Sequence, residues 1–215
     1  MFKLCVFDMD GTIVDSLGDI AAAMNRSLTR LGHKPYPEDA YKNMVGNGME
    51  VLCRRALKGG TEEEIQKLIS LYKEDYLKNC CVRSKLYPGT GELINKLCSN
   101  GVKCAVLSNK PHNQVTEIAQ KLMNIKDYFK ILGQTDSFPA KPAPDSLLHL
   151  MKEAKAEKSE TAYIGDSNVD IRLGKAAGVF SVGAAWGFRG EEELAAEGAD
   201  RIAHNAAELE KILLS

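Results

Sequence analysis

An α/β fold built on a doubly wound parallel sheet, with an all-helical insertion, is what this sequence predicts, and three observations carry the prediction. Short apolar runs that suit strands buried on both faces occur at Leu4 to Phe7, Cys104 to Leu107, Tyr163 to Ile164 and Val179 to Val182, with a weaker one at Phe129 to Leu132. From residue 84 onward these runs alternate with helical patterns. That order implies right-handed β-α-β crossovers in a parallel sheet with helices on both faces. Residues from about 15 to 82, by contrast, hold only helical patterns, with no strand between them. The expected organisation is an α/β core formed by residues 1–14 and 83–215, and a helical cap formed by residues 15–82.

Each element has its own signal. Leu4 to Phe7 runs into Asp8 and Asp10, and Gly11 lets the chain turn. In the insertion, Leu17, Ile20, Ala21, Met24, Leu28 and Leu31 trace one helical stripe. Ile65, Leu68, Ile69, Tyr72 and Tyr76 trace another, opened by a capping box of Thr61 and Glu64. In the core, Leu93, Ile94 and Leu97 share one helix face, as do Val115, Ile118, Ala119 and Leu122. The resulting core is Rossmann-like, without internal repeats or low-complexity tracts.

Composition narrows the functional classes. Lys and Arg total 28 against 29 Asp and Glu in 215 residues, so bulk charge offers no pull towards nucleic acid or an acidic membrane. The N-terminal apolar run is too short for a secretory signal, and nothing approaches the roughly 18 apolar residues of a membrane span. A cytoplasmic protein, monomeric or homodimeric, is therefore expected. The six cysteines form no C-x-x-C pair, which fits free thiols in a reducing compartment. Neither the Walker A pattern nor G-x-G-x-x-G occurs.

Chemistry concentrates at the strand ends, where open parallel sheets bind ligands. The first strand ends in Asp8-Met9-Asp10-Gly11-Thr12, a second in Ser108-Asn109-Lys110, and a third in Gly165-Asp166-Ser167-Asn168-Val169-Asp170; Lys141 lies between the last two in sequence. Four carboxylates against one lysine would repel one another unless a cation joined them. All-oxygen ligation favours Mg²⁺, whose usual partners are phosphate oxygens. A calcium loop does not fit, because its sixth position requires Gly and Ile13 stands there. The cluster reads as a phosphoryl-transfer site.

These motifs, in this order, resemble those of the haloacid dehalogenase superfamily, and the similarity spans nearly the whole chain. The insertion is similar to that superfamily's helical cap. Val45-Gly46-Asn47-Gly48, Ser108-Asn109-Lys110-Pro111 and Lys141-Pro142 resemble its phosphoglycolate phosphatase branch. The resemblance implies a Mg²⁺-dependent phosphatase acting on a small phosphorylated metabolite, 2-phosphoglycolate above others. It implies Asp8 as nucleophile and Asp10 as general acid and base, a role suited to a carboxylate crowded by others. It further implies Ser108 and the backbone from Asp10 to Thr12 as holders of the phosphate oxygens, with Asn109 beside them, and Lys141 as the balancing charge. Asp8, Asp166 and Asp10, the last through its carbonyl, would hold the metal, with Asp170 behind them. Asn47 would meet the leaving group, and Arg54 or Arg55 a substrate carboxylate. His112 and the Trp186 to Gly190 loop are weaker candidates for the site's border. The competing readings are a sugar phosphomutase of the β-phosphoglucomutase kind, a pyrophosphatase, a nucleotidase, or a retired domain serving as an interaction module. Retirement would have eroded some chemical position, and none is lost.

Overall fold

The structure, a computed structural model, describes residues 2–215. Strand β1 (Leu4–Phe7) leads into β2 (Val14–Asp15), then α1 (Leu17–Arg30), a 3₁₀ turn (Glu38–Asn43), α2 (Met49–Leu57) and α3 (Glu62–Asn79). The chain returns through β3 (Lys85–Leu86) and continues as α4 (Thr90–Ser99), β4 (Lys103–Pro111), α5 (His112–Leu122) and β5 (Lys130–Gln134). It ends with α6 (Asp145–Ala154), β6 (Thr161–Gly165), α7 (Asn168–Ala177), β7 (Phe180–Ala184), α8 (Gly190–Ala196), β8 (Arg201–Ala203) and α9 (Ala206–Leu214).

Six strands form one parallel sheet in the order β5-β4-β1-β6-β7-β8. The chain builds outward from β1 to β5 on one side, then crosses back to build β6 to β8 on the other. The switch falls at β1, so the crevice at the carboxyl ends of β4, β1 and β6 is where a ligand belongs. Strand β1 shows why its sequence is continuously apolar. Cys5 and Phe7 enter the hydrophobic cluster on one face, while Leu4 and Val6 enter the cluster on the other, with Leu147, Leu150 and Leu173. Alternation persists, but both faces are dry.

Helices α1 to α3 occupy the predicted insertion. Leu17, Ile20, Ala21, Met24 and Leu28 are buried on α1, and Ile65, Leu68, Tyr72 and Tyr76 on α3. The Thr61 capping box forms, with the Glu64 amide donating to Thr61 Oγ1 at 3.3 Å and the Thr61 amide to Glu64 Oε2 at 2.9 Å. The absence of strands from the insertion needs one correction at its rim. Strands β2 and β3 pair antiparallel where the chain leaves and re-enters the core. Two residues are too few to display a period, so the ladder is silent in the sequence. The same shortness hid the edge strand β8.

Asp19 locks this stem. Its buried carboxylate accepts from the amides of Arg83 (3.0 Å to each oxygen) and Ser84 (2.8 Å) and from Ser84 Oγ (2.7 Å), so α1 holds the returning chain. Asp19→Ala leaves those buried donors unpaired and should cost about 2–3 kcal/mol of stability, read by urea denaturation. An unchanged denaturation midpoint would show that water replaces the carboxylate without loss. All six cysteines are free thiols, and no described helix is long and apolar enough to cross a membrane.

Candidate active site

The backbone amide of Asp8 donates to the Ile164 carbonyl at 2.8 Å, extending the β1–β6 ladder and fixing Asp8 at the strand's mouth. The loop behind it turns sharply: the amides of Thr12, Ile13 and Val14 all donate to the Met9 carbonyl. Gly11 adopts φ +83°, and a Cβ there would lie 2.2 Å from Asp166 Oδ2. Glycine is thus required twice, for the left-handed backbone and for the approach of a carboxylate. Ser108, Asn109 and Lys110 lie at the end of β4, all buried. At the end of β6, Ser167 and Asp170 form a capping box that starts α7.

Lys141 is the hub. Its ammonium lies 2.9 Å from Asp8 Oδ1 and donates to Asp170 Oδ1 at 2.8 Å and to the Tyr163 hydroxyl at 3.0 Å. Asn109 holds the Lys141 segment, accepting from the Lys141 amide at 2.8 Å and donating to its carbonyl at 3.1 Å. The Asn109 amide nitrogen also donates to the Gly46 carbonyl at 3.0 Å, linking the core to the helical insertion. Its side chain is therefore fully committed to protein partners.

Three buried carboxylates, on Asp8, Asp166 and Asp170, present oxygens within 4.8 Å of one another. Burial pushes Asp8 up to about 7, with Lys141 opposing the rise and Asp170 adding to it. Burial, then the charges of Asp170 and Asp8, pushes Asp166 well above the usual carboxylate range. Such a set is incomplete without more positive charge. Asp170 has little left to offer a metal: Lys141 and Tyr163 donate to Oδ1, and the Ser167 amide and hydroxyl donate to Oδ2. Asp8 Oδ1 faces Lys141 without an aligned hydrogen bond. Asp166 Oδ2 accepts from the Phe188 amide at 2.7 Å, while its Oδ1 has only a 3.4 Å contact from Thr12 Oγ1. The donor set fits a hard divalent cation held by Asp8 and Asp166, with Asp170 steadying Lys141.

Asp10 is placed differently from the crowding expected of it. Its carboxylate turns from the other three and meets Ser16 Oγ at 2.6 Å and Lys110 Nζ at 2.9 Å. Lys110 also donates to the Tyr76 hydroxyl at 2.8 Å and lies 4.4 Å from the centroid of that ring. A core lysine thus ties Asp10 to helix α3 of the insertion. Lys110 is a functional residue outside the sequence-derived site, and its signal in the sequence is a lysine without a neighbouring counter-charge at the end of a buried strand.

Asp8, Asp10 and Ser108 open into a cleft roofed by Ile20, Val45, Met49, Leu52 and Tyr72. Several expected contacts fall elsewhere. Thr12 directs its hydroxyl towards Asp166, and its carbonyl accepts from Trp186 Nε1 at 3.1 Å. Gly46 and Gly48 line the cavity, whereas Asn47 Oδ1 accepts from Arg55 Nη2 at 2.9 Å. Arg55 also donates to the Met44 carbonyl at 2.8 Å, so it braces the loop instead of facing a substrate. Arg54 points outward to Glu50 and Glu62. His112 Nδ1 accepts from the Gly133 amide at 3.2 Å, a packing role. The loop after β7 does reach the site's edge, through Phe188 and Trp186, and Arg189 donates to the Val45 carbonyl at 3.1 Å.

The family model described as haloacid dehalogenase-like hydrolase matches residues 5–184. A phosphoglycolate phosphatase of Pseudomonas putida is 34% identical over 202 residues, covering 91% of this chain and 74% of that protein. One of Vibrio parahaemolyticus is 33% identical, covering 98% and 96%. The crystal structure of a predicted phosphoglycolate phosphatase from Haemophilus somnus superposes with a TM-score of 0.93 at 30% identity, covering 98% of this chain and 97% of that one.

Proposed function

The chain belongs to the haloacid dehalogenase-like hydrolases and is a phosphatase, and on that premise we propose that it hydrolyses a small phosphomonoester, 2-phosphoglycolate, through a phosphoryl group carried on Asp8. The observation that carries the reading is Asp8 itself, a buried carboxylate at the strand mouth with Lys141 at 2.9 Å and an oxygen without an aligned donor. A carboxylate so placed attacks phosphorus in line. Lys141 offsets charge on Asp8 and on the phosphoryl oxygens. Ser108 lines the same cavity, and its hydroxyl, bonded among the described residues only to the Lys110 amide at 3.3 Å, is available to a phosphate oxygen.

Asp10 protonates the departing alkoxide oxygen and then takes a proton from the water that hydrolyses the aspartyl phosphate. The insertion excludes bulk water by roofing the reacting centre with Ile20, Leu52 and Tyr72. Asp8 and Asp166 would hold Mg²⁺, which would supply neutralisation of the phosphoryl oxygens. The substrate assignment rests on the curated relatives' names and on the cleft partly roofed by Ile20, Leu52 and Tyr72, which suits compact monophosphates. A panel of phosphorylated metabolites tests it, with the highest kcat/KM expected for 2-phosphoglycolate. A hexose phosphate, a nucleotide or pyrophosphate ranking first would overturn the substrate and leave the Asp8 chemistry standing. A sugar phosphomutase would betray itself by needing a bisphosphate activator.

Turnover should stop in excess chelator and return with Mg²⁺. Asp166→Ala should raise the half-saturating Mg²⁺ concentration by about 10–100-fold, following the loss of one charged ligand. Full activity in chelator rules the metal out.

A further inference from the structure

We propose that Gln114 is a specificity-determining residue, which together with Lys110 binds the non-phosphate end of the substrate, and that this end is a carboxylate. The inference rests on the phosphomonoesterase reading of Asp8 and adds the part of the site that selects the leaving group.

Gln114 stands in the first turn of α5, directly after the β4 end that carries Ser108 to Lys110, and it lines the same cavity as Asp8. Its side chain is buried, with 1% of the residue exposed, and Nε2 has no hydrogen-bond partner. An amide nitrogen buried without an acceptor is costly, and its place at a ligand cavity identifies what would satisfy it. The cavity's other charged and amide side chains are accounted for. Asp8, Asp10 and Ser108 belong to the phosphoryl end, and Asn109 is spent on Gly46 and Lys141. Lys110 directs its ammonium to Asp10 and Tyr76, leaving the third of its three N–H groups. Of the remaining lining side chains, Ile20, Val45, Met49 and Leu52 are apolar, and Tyr72 adds a hydroxyl.

Beside the Tyr72 hydroxyl, Gln114 and Lys110 thus offer one neutral and one cationic donor, at the start of an eleven-residue helix whose N-cap, Pro111, supplies no side-chain cap. The helix dipole adds positive potential there. A carboxylate answers all three features, since each of its oxygens takes a donor and its charge matches the field. An ammonium tail would set its charge against Lys110 and leave Gln114 Nε2 unpaired. A hydroxyl tail would satisfy the amide and leave the charge unused.

The test is steady-state kinetics with Mg²⁺ on wild type, Gln114→Met and Gln114→Glu, using 2-phosphoglycolate, glycerol phosphate and propyl phosphate. The ratio of kcat/KM for phosphoglycolate over propyl phosphate should fall about 10–100-fold in Gln114→Met, chiefly through KM, because a site built to donate a hydrogen bond discriminates strongly. Gln114→Glu, which sets a charge against the tail, should lower the ratio further. An equal loss on both esters in both variants would mark Gln114 as a packing residue and overturn the proposal, with 2-phosphoglycolate still standing if it ranks first in wild type. A wild type that ranks glycerol or propyl phosphate first overturns the carboxylate assignment. Absence of hydrolysis of every ester overturns the phosphatase mechanism on which both rest.

Discussion

Asparagine at position 8 should abolish turnover, lowering kcat by at least about 10⁴-fold, while the protein stays folded. The amide is nearly isosteric with the carboxylate, so packing at the β1 mouth is kept, but it is a poor nucleophile towards phosphorus. Stability should not suffer, for a reason internal to the site. Burial has pushed Asp8 up to about 7, so the fold disfavours its charge, and a neutral side chain removes that penalty at pH 8. Lys141 keeps its 2.8 Å partner on Asp170. The thermal midpoint of Asp8→Asn at pH 8 should therefore equal or exceed that of the wild type. Rapid-quench labelling of the wild type should trap an acid-stable, hydroxylamine-sensitive phosphoprotein that Asp8→Asn lacks. Appreciable steady-state activity in the variant would remove Asp8 from the role of nucleophile.

The separation between what the sequence disclosed and what it withheld follows the range of the interactions. The β1 run was legible because Leu4 to Phe7 are all buried between two dry faces, a local pattern with one solution. The carboxylates were legible because Asp8 and Asp166 follow their strands directly and Asp170 stands in the first turn of the helix after β6, so the sheet order brings all three together. Contacts across the insertion were not. Lys110 and Tyr76 are 34 positions apart and meet only when α3 packs over β4. Gln114 carries no motif, and its significance lies in an unpaired nitrogen that only coordinates reveal. Asn47 is expected at the leaving group and Arg55 is one of two arginines offered to a substrate carboxylate, yet eight positions apart on a turn and a helix they bond to each other. Polar residues near a site have the site's own backbone to support, and a sequence does not say which task each one has taken.

Asp10→Asn should separate acid catalysis from attack. Removing a general acid costs roughly 10²–10⁴-fold in rate when the leaving group needs a proton. Alkyl phosphates such as 2-phosphoglycolate leave as strongly basic alkoxides and should lose that full amount in kcat/KM. Nitrophenyl phosphate, whose leaving group departs without protonation, should lose far less in the first step, observed as a burst of nitrophenol. The structure adds a reason to expect a clean effect. Ser16 and Lys110 hold the Asp10 carboxylate at 2.6 Å and 2.9 Å, and it takes no part in the cluster of Asp8, Asp166 and Asp170. Asparagine can keep the contact with Ser16 through its carbonyl, so the phosphate-binding loop should stay in place and KM should change little. Metal dependence should also be unaltered, because the Asp10 side chain lies outside the carboxylate cluster. In the proposed mechanism hydrolysis of the phosphoenzyme also needs Asp10, so the burst should be followed by slow steady-state release rather than by full turnover. An equal loss of burst rate for alkyl and nitrophenyl esters would show that Asp10 acts on the phosphoryl group instead of the leaving oxygen.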